Sequence, residues 1–241
     1  MANWTLDSLL RGIRTTRWPH HPETAPGVTP GRPQPAANHG SKLETLCPSG
    51  ALHATGNGGT AVDFARCIHC QRCRHGEDAL PWQDSFEWTA ATSNGGGTLP
   101  ARFRRSLHVR YIDAGACGGC MSEVRLIDAP PYNLHRFGIF ITATPRDADV
   151  LLVGGPVTET MREPLRKAYA AMPAPRRVVA MGVCAINGGI FGKSFASAGG
   201  VAEVVPVDFV IPGCPPPPLA IVDALLAVTG RMPTHPLEAA P

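Results

Sequence analysis

The sequence lacks the marks of several broad classes of protein. It has no run of about 18 or more apolar residues, which a membrane-spanning helix needs, and its first residues do not show the basic stretch and apolar stretch of a secretory signal. Lysine and arginine (22) barely exceed aspartate and glutamate (19), so the charge does not indicate a nucleic-acid partner. The phosphate-binding patterns GxxxxGK and GxGxxG are also missing. We therefore expect a cytoplasmic protein that binds no nucleic acid and performs no nucleotide chemistry of its own.

Cysteine, in contrast, is plentiful. The 241 residues include eight cysteines, and in a reducing compartment such cysteines are more often metal or redox ligands than disulfide partners. The chain is also rich in proline (25) and glycine (26). Its length and composition predict one ordinary domain with a real core and a smaller domain rich in loops.

Several segments are predicted to lie outside these two domains. The first is residues 1–42, in which residues 4–18 have the pattern of an amphipathic helix with a basic face. That helix either docks on a partner or packs on its own domain. Six prolines within residues 19–35 predict an extended arm. The others are a linker over 89–102 and a tail over 231–241.

A first group of cysteines lies in a predicted small domain over residues 43–88. It consists of Cys67, Cys70 and Cys73 at regular spacing and of Cys47, which precedes a proline. Both are parts of the bacterial ferredoxin pattern C-x2-C-x2-C-x3-C-P, in which the fourth cysteine of each run binds the other cluster. In this register, the positions without cysteine make up one complete ligand set, namely Ala37, Gly40, Leu43 and Glu77. We therefore predict a degenerate ferredoxin-like domain that keeps one 4Fe-4S cluster on the four remaining cysteines.

The first group leaves two questions open. A structural zinc ion on the same four thiols is the alternative, although zinc sites usually pair two separate Cys-x-x-Cys knuckles. His69 and His75 flank these cysteines and could tune a cluster or bind a partner. We expect both histidines to face solvent, as loop histidines commonly do.

Predicted strands and helices alternate over residues 103–230. The strands are predicted at 106–114, 138–143, 149–155, 177–181 and 204–210, and the helices at 121–128, 160–172 and 218–228. A capping box, Thr160 to Glu163, is expected to begin the second of these helices. The predicted fold class is α/β, a flavodoxin-like doubly wound parallel sheet preceded by the small ferredoxin-like iron-sulfur domain.

A second group of four cysteines belongs to this sheet. Cys117, Cys184 and Cys214 each follow a predicted strand, and Cys120 follows Cys117 after two glycines. Since the carboxyl ends of parallel strands share one edge, we expect these thiols to converge. Thiolate is the ligand that iron-sulfur clusters require, so the four residues predict a second cluster site.

The second half of the chain also resembles a known family. It is similar to the small-subunit family shared by respiratory complex I, as its B-type subunit, and by group 4 membrane-bound nickel-iron hydrogenases, and most of all to the formate hydrogenlyase small subunit. The matching segments are residues 111–120 (YIDAGACGGC), 136–138 (RFG), 145–153 (PRDADVLLV), 157–161 (VTETM), 188–191 (GGIF) and 205–216 (VPVDFVIPGCPP). Residues 1–88 resemble the ferredoxin subunit of the same complexes. The chain thus resembles a fusion of two electron-transfer subunits.

Two details favour the hydrogenase branch of this family. Complex I subunits carry adjacent cysteines where this chain has Gly119 and Cys120, and they usually have arginine where it has Pro217. One detail departs from the formate hydrogenlyase pattern, since Ala114 stands where that relative has an additional cysteine.

The resemblance implies a function. Cys117, Cys120, Cys184 and Cys214 would bind the 4Fe-4S cluster nearest to the active site of a large subunit, and the chain itself would hold no catalytic residue. The chain would relay electrons through two 4Fe-4S clusters within a membrane-associated nickel-iron hydrogenase. Its partners would be that large subunit, integral membrane subunits and an upstream donor subunit or ferredoxin, at the inner face of the cell membrane. The alternatives are a complex I-like quinone reductase or ion pump without nickel, and a structural zinc-binding scaffold.

Two polar features have more than one interpretation. Glu123 matches an acidic residue of the family and could carry protons or contact a partner, while an ordinary glutamate near a helix N-terminus has the same pattern. A basic group is either a contact for an acidic partner or a solvated face, and it consists of Arg102, Arg104, Arg105 and Arg110.

Overall fold

The structure is a computed structural model, and it describes residues 10, 12, 14–37, 40–75, 78–93 and 95–235. Its strands are β1 Arg32–Pro33, β2 Leu52–Ala54, β3 Thr60–Val62, β4 Trp82–Gln83, β5 Ala90–Ala91, β6 Leu107–Asp113, β7 Ile139–Ile141, β8 Val150–Gly154, β9 Val157–Thr158, β10 Arg177–Met181, β11 Ser197–Gly199 and β12 Phe209–Ile211. Its α-helices are α1 Gly40–Leu46, α2 Gly119–Leu126, α3 Glu159–Ala171, α4 Val183–Asn187 and α5 Pro218–Val228.

A six-stranded sheet forms the centre of the fold, with the strand order β5-β12-β10-β8-β6-β7. Neighbouring strands are parallel except at one edge, where β5 pairs antiparallel with β12. The central strand β8 is buried along its whole length, which suits its apolar sequence Val-Leu-Leu-Val-Gly, because both faces of such a strand are covered. The predicted α/β class with a doubly wound, mostly parallel sheet is confirmed.

Helices cover both faces of this sheet. On one face, α2 and α5 pack together, and every residue of α5 is buried because the helix is apolar nearly all round. On the other face, α3 and α4 contribute Leu165 and Ala185 to a second apolar cluster. The sheet is thus enclosed except at its edges and at the two ends of its strands.

The chain before the central sheet forms smaller elements. Here β1 pairs with β4 and β2 pairs with β3, both antiparallel, while α1 packs on β2 and β3. Single turns of 3-10 helix at Phe64–Arg66 and Arg72–Arg74 lie between β3 and β4. A ferredoxin-like fold for this part of the chain stays a prediction.

Three segments differ from the expectation or fall outside the described residues. Residues 90–91 lie in the predicted linker, yet they form β5 and extend the sheet. Residues 204–208 were expected in a strand, but β12 begins at Phe209 because Pro206 cannot donate to a strand ladder. The predicted helix over 4–18 falls mainly on residues outside the described part, and residues 14–18 are not helical.

Candidate functional site

The second cysteine group lies at the carboxyl edge of the central sheet. Cys117 follows β6, and Cys120 lies in the first turn of α2. Cys184 lies in α4 directly after β10, and Cys214 follows β12. Because these strands are parallel members of one sheet, their carboxyl ends bring the four cysteines to one place.

The thiols of this group are close enough to act on one another electrostatically. Burial, together with the charges of Cys184, Cys214 and Cys117, raises the pKa of Cys120 to about 12. Burial and then the charges of Cys214 and Cys117 raise the pKa of Cys184 to about 11. Four thiolates gathered in this way repel each other, so the set favours a bound cation or a metal cluster that offsets their charge.

Two glycines leave the space that the sulfur atoms occupy. A Cβ atom on Gly189 would lie 2.6 Å from the Sγ of Cys184, and one on Gly182 would lie 3.0 Å from the Sγ of Cys120. Both glycines have a positive φ, 58° and 85°, which other residues rarely adopt. The backbone around these thiols is therefore shaped to receive sulfur and anything bound to it.

The first cysteine group lies in loops of the N-terminal part. Cys47 follows α1, while Cys67 and Cys73 stand at the two 3-10 turns. Burial is the main cause that raises the pKa of Cys67 to about 12; a backbone N–H of His69 opposes the rise, and the charges of Cys73, Cys47 and Cys70 add to it. These four thiols thus also gather at one place, and the structure forms two separate groups of four.

Hydrogen bonds favour the thiolate form of Cys47. The backbone N–H of Ala51 donates to its Sγ at 3.3 Å, and the Ser49 hydroxyl lies 3.6 Å from the same atom. Burial raises the pKa of Cys47, but hydrogen bonds from Ser49, Ala51 and the adjoining backbone outweigh it and leave the pKa lowered. Such N–H donors are characteristic of sites that hold an anionic iron-sulfur cluster.

One position of the missing ligand set has become apolar core. Leu43 is only 2% exposed and packs with Leu52, Val62 and Leu80. Cys47 and Cys73 of the first group border this apolar cluster. Among the other positions without cysteine, Gly40 begins α1 and Ala37 is exposed, while Glu77 lies outside the described residues.

An aromatic cluster borders the first cysteine group. The His69 ring lies 5.5 Å from Phe64, 6.5 Å from Trp82 and 5.8 Å from Trp88, measured between ring centroids. Burial lowers the pKa of His69 to about 4, so its ring is neutral. The expectation that His69 faces solvent is therefore wrong, because its ring packs among these aromatic side chains; His75 is exposed, as expected.

Four nitrogen atoms of this aromatic cluster have no hydrogen-bond partner among the described residues, although all are buried. They are both ring nitrogens of His69 and the indole nitrogens of Trp82 and Trp88. Buried polar groups without a partner are rare in folded proteins. Hydrogen bonds to cluster sulfur tune the reduction potential of iron-sulfur proteins, so these donors fit a site whose acceptor is a bound cluster.

The two cysteine groups are neighbours. Helix α4, which carries Cys184, packs on the 3-10 turn that precedes Cys67. The Asn187 side chain ties the two elements together, since its Nδ2 donates to the carbonyl of Ala65 at 3.0 Å. In addition, His69 of the first site and Cys214 of the second line one cleft of about 590 Å³.

Glu123 lies in the same cleft, next to Tyr132. Burial raises the pKa of Glu123 above its ordinary value. Burial also raises the pKa of Tyr132, and the Glu123 charge adds to that rise. A carboxyl and a phenol, both with raised pKa, therefore adjoin the site of Cys214.

Two features are absent from the described residues. Among these residues, no group of three or more His, Cys, Asp or Glu side chains is arranged to hold a single metal ion. Within the same part of the chain, no helix has the length and apolar character needed to cross a membrane.

Comparison with known proteins places this site in a family. Residues 117–228 match the family described as NADH ubiquinone oxidoreductase, 20 Kd subunit. The chain is 41% identical to formate hydrogenlyase subunit 7 of Escherichia coli, over 56% of this chain and 53% of that protein. It is 44% identical to the B-type subunit of NADH-quinone oxidoreductase from Saccharopolyspora erythraea, over 50% and 54%. It is 38% identical to a probable membrane-bound hydrogenase subunit, mbhJ, of Pyrococcus furiosus, over 53% and 77%. The chain thus spans about half the length of the first two relatives.

Proposed function

Because the chain belongs to the family of the NADH ubiquinone oxidoreductase 20 Kd subunit, and so is a subunit of an oxidoreductase complex, we propose that it is the electron-transfer subunit of a membrane-associated hydrogenase. In this proposal Cys47, Cys67, Cys70 and Cys73 hold one 4Fe-4S cluster, and Cys117, Cys120, Cys184 and Cys214 hold a second. A bound 4Fe-4S cluster supplies one-electron redox chemistry. The chain has no catalytic residue of its own in this proposal.

The adjacency of the two cysteine groups carries the proposal. A relay needs its redox centres close together, and the hydrogen bond from Asn187 to Ala65 fixes the helix of Cys184 against the turn before Cys67. The cleft shared by His69 and Cys214 is a second direct link between the sites. A purely structural metal site would have no need of this proximity.

The protein's own residues would hold the thiols in place and limit access of water. Cys214 precedes four prolines, whose fixed backbone makes its loop stiff. Gly182 and Gly189 allow close approach of the backbone to sulfur. The buried nitrogens of His69, Trp82 and Trp88 offer N–H donors at the first site. Glu123 would move a proton or contact a partner at the edge of the second site.

An exposed apolar loop supports a partner beside the second site. Ile190, Phe191 and Phe195 are 68%, 60% and 99% exposed, and they follow Cys184 directly along the chain. Exposed apolar groups of this size mark interaction surfaces. We propose that this loop contacts the large subunit of the complex. Integral membrane subunits and an upstream donor would complete an assembly at the inner face of the cell membrane.

A second candidate function follows from the similarity to the B-type subunit of NADH-quinone oxidoreductase. In it, the same electron-transfer subunit serves a complex I-like quinone reductase or ion pump whose large subunit has no nickel. The large subunit distinguishes the two candidates, because a nickel-iron centre requires two Cys-x-x-Cys pairs. Nickel analysis of the purified complex, read beside that sequence, decides between them.

Metal analysis of the purified chain tests the cofactor assignment. Two 4Fe-4S clusters require about eight iron and about eight acid-labile sulfide per chain. Zinc in place of iron would support a structural scaffold instead. A preparation with stoichiometric zinc and no sulfide, after anaerobic purification from iron-supplemented cells, would contradict the proposal.

A further inference from the structure

A basic cleft lies at the opposite end of the central sheet from the cysteines. Its volume is about 480 Å³, within the range of small-molecule sites. Arg104 and Arg105 precede β6, and Gly138 precedes β7, so the cleft adjoins the amino ends of these parallel strands. Four arginines and one histidine line it, namely Arg104, Arg105, Arg136, Arg231 and His20.

The arginine charges in this cleft are not neutralised within the described part of the chain. The described residues that line the cleft include no carboxylate. Burial lowers the pKa of Arg231, and the nearby like charge of Arg104 lowers it further. Burial also lowers the pKa of Arg136. Guanidinium groups held together against desolvation and like charge favour an anionic ligand.

Most of these guanidinium groups are held in position by the backbone. Arg136 donates to the carbonyls of Thr16 and Trp18, both at 2.6 Å. Arg231 donates through Nη1 to the carbonyl of Phe137 at 2.7 Å. Neutral carbonyls fix the direction of these groups without cancelling their charge. The cleft therefore presents a preorganised set of positive groups.

Two of the arginines retain free hydrogen-bonding capacity. The Nη2 of Arg231 is buried and has no partner among the described residues. The exposed side chain of Arg105 makes no hydrogen bond or ion pair within that same part of the chain. An unpartnered buried donor in a cleft with an excess of positive charge indicates a missing acceptor.

We infer that this cleft binds a phosphate-class oxoanion, either a free phosphate or the phosphate of an anionic lipid headgroup. Arginine forks match the geometry of phosphate oxygens, and several guanidiniums converge here. The site lies on the far side of the sheet from both cysteine groups, so it does not depend on the proposed electron transfer. It also gives a role to Arg104 and Arg105 of the basic group found in the sequence.

Calorimetric titration of the full chain with pyrophosphate, at constant ionic strength, tests this inference. We expect saturable binding that Arg105→Gln weakens by about tenfold, since a charge-assisted contact is lost. Arg105 makes no internal contact, so this variant should fold normally. Arg231→Gln should weaken binding at least as much, provided that its circular dichroism matches the parent chain. Arg102→Gln is the matched control, because Arg102 stacks on Phe103 outside the cleft.

Flotation with vesicles distinguishes the two sources of phosphate. Binding to phosphatidylglycerol vesicles but not to phosphatidylcholine vesicles, lost in Arg105→Gln, would assign the site to a lipid headgroup. Pyrophosphate binding without vesicle binding would assign it to a free phosphate. The inference is overturned if neither probe binds, if Arg102→Gln weakens binding as much as Arg105→Gln, or if an acidic peptide binds where pyrophosphate does not.

Discussion

At the scale of single residues, each cysteine group is surrounded by groups that suit sulfur. Gly189 leaves room for the sulfur of Cys184, and the Ala51 N–H donates to that of Cys47. The first site also contains buried indole and imidazole nitrogens without partners among the described residues. The environment of the thiols, as well as their number, therefore matches an iron-sulfur site.

The Trp82 indole is the donor with a defined neighbour in the first group. Burial raises the pKa of Cys73, and the adjacent Trp82 side chain opposes that rise. Trp82→Phe keeps an aromatic ring but removes the N–H. We predict that the reduction potential of the first cluster falls by about 40 mV, the one-electron equivalent of about 1 kcal/mol for one hydrogen bond. Redox titration followed by EPR measures it.

Trp88→Phe is the control for this prediction. Trp88 belongs to the same aromatic cluster and also carries a buried indole nitrogen, but no contact with a cysteine is found for it among the described residues. We expect a much smaller change of potential. An equal shift in both variants would mean that ring packing, not the Trp82 N–H, sets the potential.

The sequence predicted which residues are chemically important better than it predicted their surroundings. Cysteine positions stand out because glycine, proline and regular spacing frame them. The burial of His69 depends on Trp82 and Trp88, which follow it by more than ten residues, and no local pattern shows this contact. Asn187 was missed for the same reason, since its partner Ala65 is distant in the sequence. The tryptophans close to Cys73 were the available signal.

At the scale of elements, the parallel sheet places the second cysteine group. β6, β8 and β10 were predicted within one or two residues, because long apolar runs bounded by polar residues define buried strands. Helix α4 is only five residues long and was not predicted, since so short a segment has no periodicity. The expected capping box was wrong: Thr158 precedes α3, its side chain makes no capping bond, and Pro164 lies inside the helix rather than in its first turn.

Helix α5 contains a buried acid, which makes stability depend on pH. Burial raises the pKa of Asp223 to about 7, while the Thr89 hydroxyl, 2.9 Å from its Oδ2, partly opposes the rise. In the unfolded chain the pKa is about 3.9. The folded state therefore binds the proton more tightly, and its contribution is complete below about pH 4 and lost as the pH rises through about 7.

Asp223→Asn should flatten this dependence. We predict that the parent chain loses on the order of a few kcal/mol of unfolding free energy between about pH 4 and pH 7 through this group, and that the variant loses much less. Urea denaturation across this range measures it. The exposed residue Asp147 provides the control, and Asp147→Asn should keep the parent profile. An unchanged slope in Asp223→Asn would contradict the prediction.

At the scale of the whole molecule, the two cysteine groups lie next to each other and the basic cleft lies at the other end of the sheet. The sequence predicted two groups of four but offered no means of predicting their distance from one another. That distance depends on the packing of α4 against the turn at Phe64–Arg66, which joins parts of the chain separated by more than a hundred residues.

The exposed apolar loop gives a prediction about assembly. Phe191→Ser combined with Phe195→Ser should weaken association about tenfold or more with the large subunit, as expected when aromatic anchors are removed from an interface. Co-purification of that subunit with tagged chain measures the effect. Phe140→Ser is the control, since Phe140 is 37% exposed and lies on β7, away from this loop. Equal loss in the control would exclude a specific role of the loop.

The central claim is that two neighbouring cysteine groups each hold a 4Fe-4S cluster. EPR spectroscopy of the dithionite-reduced chain, compared with its Cys70→Ala variant, tests it most directly. Cys70 is exposed, so its loss should leave the central sheet folded. We predict two magnetically interacting signals in the parent chain and one signal without interaction, with about half the iron, in the variant. A zinc-loaded sample without an iron-sulfur signal, or an identical spectrum in both proteins, would contradict this claim.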